Sequence, residues 1–298
     1  MPTITSRNGS IEYGEGHPTL LINDQLFIID QVPRMLEEVS NGKVDMMVDM
    51  ARWGKQVGLD IPAILINHPE IDEVEMLPKI AVAVHNEVGC PIGLDSRHPE
   101  ALQAACEALQ PYRPVIFTVT AEDEILSAML PIVKRYQAVI AGMPMGRFST
   151  AVPMTVEGRL AETRIIINAC EGYGIPREDI VIDAICMAVS TLLPESYHVS
   201  LETIKAVKNE FGVAIQLGVS NAGHGMPDPT SLELAYLIGA MSWGLDAAFI
   251  NPATIALIQS VRAMDMLTER DTTGKMYLQQ WRSLYGKSSS RRKRHEIP

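Results

Sequence analysis

The chain has 298 residues, 47% of them apolar, which is enough for a sizeable core, and its 25 basic against 36 acidic residues give a formal charge of −11. That balance argues against a surface built to neutralise phosphate backbones, so nucleic acid is not an expected partner. No apolar run approaches the roughly 20 residues of a membrane span, and the opening "MPTITSRNGS" lacks the apolar core of a secretory signal, so a cytoplasmic protein with no membrane segment is expected.

From about residue 19 to residue 271, short β-type runs alternate with amphipathic helical stretches, and no linker rich in Gly, Ser or Pro separates them. The first run, "TLLIND" from Thr19, ends in Asn23 and Asp24; the second, "IPAILINH" from Ile61, ends in Asn67 and His68. "PIGLDS" from Pro91 finishes with Asp95 and Ser96, and in the following "HPEALQAACEAL" Leu102, Ala105, Cys106 and Leu109 share one helical face. "PVIFTVT" from Pro114 presents Phe117, Thr118 and Thr120, and "QAVIAGMPM" from Gln137 presents Met143 and Met145. "IVIDAIC" from Ile180 carries Asp183 inside it, while "AIQLGVSN" from Ala214 ends in Asn221 and breaks at once into Gly223, His224 and Gly225. In "DPTSLELAYLIGAMSWG", Asp228 is the expected helix N-cap, Pro229 takes the first helical position, and Leu234, Leu237, Ile238 and Met241 form the apolar face. The eighth run, "AAFINP" from Ala247, ends in Asn251. Residues 286–298, with the basic cluster "SSSRRKRHEIP", read as a disordered tail beyond one domain over residues 1–285.

Strands apolar on nearly every residue need cover on both faces, which parallel strands with helical crossovers provide. Eight such units predict a single-domain (β/α)8 TIM barrel, with an open doubly wound sheet as the competing architecture. Chemistry in such a barrel sits at the C-terminal strand ends. All nine lysines fall in helical stretches or the tail, so no Schiff-base amine faces the mouth. The seven histidines form no HxH or HxxxH pair and the four cysteines no CxxC, so no metal centre is expected and the thiols are taken as free. No GxSxG, P-loop or GxGxxG follows a strand. What stands at the ends is carboxylate and carboxamide. Asp183, a charge inside an apolar run, must be paired or hydrogen-bonded, as ligand group, salt bridge or loop cap; Asp95 repeats the pattern, unless it or Ser96 caps the helix near Pro99. Such a set suits a neutral, flat ligand with N–H edges, such as a pterin or a purine.

In order and spacing, "IGLDS", "RLAETRIIINACEGYGIPREDIVIDAIC", "LGVSN" and "GLDAAFINP" resemble the methyltetrahydrofolate:corrinoid methyltransferases, a branch of the pterin-binding barrels that also include dihydropteroate synthase. The likeness runs from about Thr19 to Trp281. It implies that Asp95 and Asp183 hold the pterin, that Asn221 is the catalytic group at N5, and that Gly218 and Ser220 line the same strand end. Gly142 and Met143, with Gly223 and Gly225, would leave room above the pterin. Tetrahydrofolate or 5-methyltetrahydrofolate is then the substrate, in a multi-component system of the O-demethylase or methylamine/betaine type. The corrinoid (cobalamin) rides on a separate partner protein, since the chain has no DxHxxG motif, and a homodimer is implied. The chain departs from its relatives at Phe117, where many carry Asn, and at Leu65-Ile66-Asn67, where they carry Asp-x-Asn; it also lacks the "SRK"-type cluster of dihydropteroate synthase. Two further readings stand beside this one: a pterin-type barrel with a different ligand, and a non-catalytic subunit that docks a corrinoid protein.

Overall fold

The structure, a computed structural model, describes residues 1–28, 32–148, 151–193 and 195–286. The tail anticipated at 286–298 therefore lies, past Gly286, outside the described residues. Each of the eight predicted runs forms a strand: β3 (Leu20–Ile28), β4 (Ile61–Ile66), β5 (Gly93–Asp95), β6 (Val115–Val119), β7 (Val139–Gly142), β8 (Ile180–Asp183), β9 (Ala214–Leu217) and β10 (Ala247–Ile250). They pair in parallel, in chain order, and β10 returns to β3, closing the (β/α)8 barrel and excluding an open sheet. Outside them lie α1 (Pro33–Ser40), α2 (Asp45–Val57), α3 (Glu73–Val88), α4 (Pro99–Ala108), α5 (Asp123–Tyr136), α6 (Val156–Gly172), α7 (Ser196–Phe211), α8 (Pro229–Ser242), α9 (Ile255–Leu267) and α10 (Lys275–Tyr285). No helix among the described residues is long and apolar enough to cross a membrane.

Alternation explains why these strands are apolar throughout. Leu20, Ile22, Ile61, Ala63, Val115, Phe117, Val139, Ala141, Val181, Ala214 and Ala247 meet in one buried cluster inside the barrel. Their sequence neighbours Leu21, Ile64, Leu94, Ile116, Ile140, Ile182, Ile215 and Ala248 pack outward under the helices. Phe117 fills the interior edge-on to Phe249 at 4.9 Å, and Gly93 makes room for it, because a Cβ there would stand 2.5 Å from the Phe117 ring. The helix ends follow their sequence signals: Asp72 accepts from Val74 N at 2.9 Å to start α3, and Asp228 accepts from Ser231 N at 3.3 Å to start α8, with Pro229 behind it. On α8, Leu237 and Met241 are buried as expected, but Ile238 is 37% exposed and belongs to the solvent face.

Residues 1–18 carry strands that the sequence reading omits. β1 (Thr3–Ser6) and β2 (Gly9–Glu12) form an antiparallel hairpin, tied to the barrel by Thr5 N to Arg113 O at 3.0 Å. Ile4 and Tyr13 join the interior cluster and stopper its N-terminal end.

Candidate functional site

The strand alternation decides what faces the mouth. Counting two residues on from the interior cluster, Asp95 on β5, Asp183 on β8, Gln216 on β9 and Met143 after β7 all point inward at the C-terminal rim. β5 and β8 are separated by β6 and β7, so the two carboxylates flank the mouth from different sides.

Asp95 looks into a cleft of about 650 Å³ lined by Asn67, Glu73, Arg97, His98, Thr118, Thr120, Met143 and Met145 among others. Its carboxylate receives no hydrogen bond from any described residue; neither Asp95 nor Ser96 caps α4, whose N-cap position is His98 with no side-chain cap bond, and Ser96 instead accepts from His98 N at 3.0 Å and donates to Glu73 Oε2 at 2.5 Å. Burial pushes the Asp95 carboxyl up to about 7, Arg97 pulling it down and Glu73 adding to the rise.

Across the mouth, Asp183 is already oriented. It ends its strand, its Oδ1 accepts from Ile185 N at 2.8 Å, and its Oδ2 accepts from Gln216 Nε2 at 3.3 Å. Each oxygen thus keeps lone-pair capacity. No ion pair holds it among the described residues, so of the alternatives weighed for it the salt bridge is not realised, whereas a local turn is. Burial raises its carboxyl to about 6, and the hydrogen bonds from Ile185 and Gln216 and the charge of Arg159 oppose the rise.

β9 ends at Leu217, earlier than its apolar run suggests, and Ser220 and Asn221 lie in a single 3-10 turn, Val219–Asn221. Asn221 folds back over Gly218: a Cβ on that glycine would sit 3.0 Å from Asn221 Nδ2. Asn221 is exposed to solvent in this turn at the C-terminal end of β9. The buried Asp24 accepts from Gln25 Nε2 at 2.7 Å, and burial raises its carboxyl. The loops after β8 and β9 are stitched together by Val189 N to Ala222 O at 3.1 Å and Ser190 Oγ to His224 O at 2.7 Å.

Several expected positions face elsewhere. Asn23 lies within β3, which runs on past a register shift to Ile28; it donates to Met50 O of α2 at 3.2 Å and so faces the helices. Gly142 is one residue out of phase with Met143, and a Cβ there would meet Ile166 of α6 at 2.7 Å, so it makes room for a helix rather than for a mouth ligand. Gly223 is likewise packed, 2.5 Å from Pro229 when given a Cβ. Phe117 is buried in the interior and does not line the cleft, whereas Thr118 does. Arg97, Glu73, Gln216 and Arg159 were not anticipated. Gln216 had a signal, a polar residue in an apolar run two positions before Gly218; Arg159, in a helical stretch with charged neighbours, had none.

The sequence pattern of the family described as "Pterin binding enzyme" matches residues 66–247. Among curated proteins, the "Methylcorrinoid:tetrahydrofolate methyltransferase" of Eubacterium limosum is 24% identical over 217 residues, 72% of this chain and 78% of that one. The "Methionine synthase" of Mycobacterium leprae (strain TN) is 25% identical over 80% of this chain, which spans 21% of that much longer protein. Among solved structures, Yersinia pestis DHPS with a pterine-sulfa conjugate superposes with a TM-score of 0.62 at 12% identity, over 89% of this chain and 99% of that one, a likeness of fold.

Proposed function

Because the chain belongs to the pterin-binding enzymes, we propose that it moves a methyl group between N5 of tetrahydrofolate and the cobalt of a corrinoid carried by a separate protein. The reading rests on two carboxylates with unused lone pairs at inward positions of the C-terminal strand ends, Asp95 on β5 and Asp183 on β8, together with the exposed Asn221 in the turn after β9. The similarity to a methylcorrinoid:tetrahydrofolate methyltransferase supports the choice of reaction within the family.

A pterin's pyrimidine edge offers parallel N–H donors, and Asp183, held by Ile185 and Gln216, is set to accept them; Asp95 accepts from the opposite wall. The methyl sits on a tertiary nitrogen, and a nitrogen anion is a poor leaving group, so N5 must depart protonated or strongly hydrogen-bonded. Asn221 serves both states: its carbonyl accepts from protonated N5, and its NH2 donates to the unprotonated lone pair. Arg97 at the cleft rim offers a cation to the carboxylates of a folate's glutamate tail. The corrinoid supplies a cobalt that accepts or gives the methyl. Gly218 and Ser220 stand beside Asn221 after β9, and Met143 lines the cleft into which Asp95 looks. On the same family grounds we expect a cytoplasmic homodimer, which a native mass of twice 32.8 kDa would bear out.

Calorimetric titration with 5-methyltetrahydrofolate tests the reading. Binding is expected, with Asn221→Ala changing affinity by a few-fold but slowing methyl transfer by about 100-fold or more. No binding of any folate overturns it; binding with no turnover beside an active, reduced corrinoid protein would instead identify a non-catalytic docking subunit.

A further inference from the structure

Arg159 stands in the first turns of α6 with no exposed surface. Such a place is doubly unfavourable to a cation, since burial strips its water and the helix N-terminus carries a partial positive charge. Its contacts show what the placement achieves. Nε donates to Pro153 O at 3.0 Å; Nη1 donates to Ala184 O at 2.5 Å, Ile185 O at 3.2 Å and Ser200 Oγ at 3.1 Å. Ser200, on α7, passes the grip on by donating to Ile185 O at 2.5 Å. Nη2 is buried without a partner among the described residues.

Two of the four acceptors are the carbonyls of the two residues after Asp183, and a third, Ser200 Oγ, is itself bonded to one of them. Ile185 has φ +59°, a left-handed conformation that a β-branched side chain resists, and it is the N–H of this residue that orients Asp183 Oδ1. We propose that Arg159 is the positioning residue of the mouth: through the carbonyls of Ala184 and Ile185 it fixes the turn that aims the free lone pairs of Asp183 at the ligand. This rests on the pterin-binding reading of the site.

The guanidinium also places a positive charge behind Asp183 without pairing with it. The other titratable groups here are Cys186 of the same loop and Tyr236 of α8, and burial holds the Cys186 thiol up at about 12 and the Tyr236 hydroxyl above its ordinary value, so both are neutral near pH 7. Gln216, from β9, carries no charge. Arg159 is therefore the charge that favours ionised Asp183.

The test is tetrahydrofolate affinity from pH 5 to pH 9 for the wild type, Arg159→Met, Arg159→Lys and Ser200→Ala. Arg159→Met is expected to move the acid-side midpoint of binding up by about one pH unit, because losing a nearby opposite charge raises a carboxyl pKa by that order. Arg159→Lys keeps the charge but, with a single nitrogen, cannot reach the four acceptors that the guanidinium spans with Nε and Nη1; its midpoint stays and its affinity falls about tenfold at every pH. Ser200→Ala weakens binding several-fold without moving the midpoint. A wild-type midpoint in Arg159→Met overturns the inference, and if that variant fails to fold, wild-type affinity in both Arg159→Lys and Ser200→Ala overturns it. A wild type that binds neither tetrahydrofolate nor 6-methylpterin overturns the inference together with the function it rests on, whereas unchanged variants of a binding wild type overturn the inference alone.

Discussion

At the N-terminal face of the barrel, Asp265 accepts from Thr19 N at 3.1 Å and Thr19 Oγ1 at 2.7 Å, beside Arg262, which donates to Asp60 at 2.8 and 2.9 Å. Asp246, on the same face, is held by Lys208 at 2.8 Å and by Ile215 N at 2.9 Å. At the C-terminal face, Asp95 has no donor among the described residues, and Asp183 has two neutral ones and no ion pair. Burial raises the carboxyl group in both places, but at the N-terminal face cations in contact oppose it. Paired buried charge is a seam of the fold, and unpaired buried charge in a mouth is capacity kept for a ligand.

Breaking the seam should have the largest effect. Arg262→Met leaves Asp60 and Asp265 without their cation, and urea unfolding should show a loss of about 3–5 kcal/mol. On the other face, Asp183→Ala should weaken tetrahydrofolate binding by roughly 2–3 kcal/mol in calorimetry, the worth of hydrogen bonds to a charged group, with a much smaller loss of stability.

Asp95 sharpens the contrast because no hydrogen bond or ion pair among the described residues offsets its burial, so that removing its charge should stabilise the fold. Its carboxyl stands at about 7 in the folded protein, above an unfolded value near 4, so the neutral acid's contribution to stability is complete below the unfolded value and is lost as pH rises through about 7. Asp95→Asn should therefore unfold at higher urea than the wild type at pH 8, by about 1–3 kcal/mol after allowance for partial exposure, with no gain at pH 4. Arg97→Ala should give the smallest change, about 1 kcal/mol weaker binding of tetrahydrofolate and none for 6-methylpterin, which has no glutamate tail.

Much of this contrast was legible in the sequence. Eight runs apolar on both parities dictated parallel strands under helices, and a charge ending such a run, at Asp95 and Asp183, marked the mouth. The hairpin from Thr3 to Glu12 escaped because four-residue strands carry too few alternations to stand out. Asn23 was misplaced because the bulge in β3 lets the strand continue beyond it. Gly142 sits next to Met143, and a single step along a strand reverses the face. Arg159 was invisible for a different reason: its partners Ala184, Ile185 and Ser200 lie on other elements, so the fold alone creates its role.

The central claim is most directly tested by mixing the protein with reduced corrinoid and 5-methyltetrahydrofolate and following the corrinoid spectrum. The account predicts protein-dependent conversion of the Co(I) form to methyl-Co(III), reduced about 100-fold or more in Asn221→Ala. A spectrum that does not change with the wild-type protein, or that changes equally fast with the Asn221→Ala variant, would contradict it.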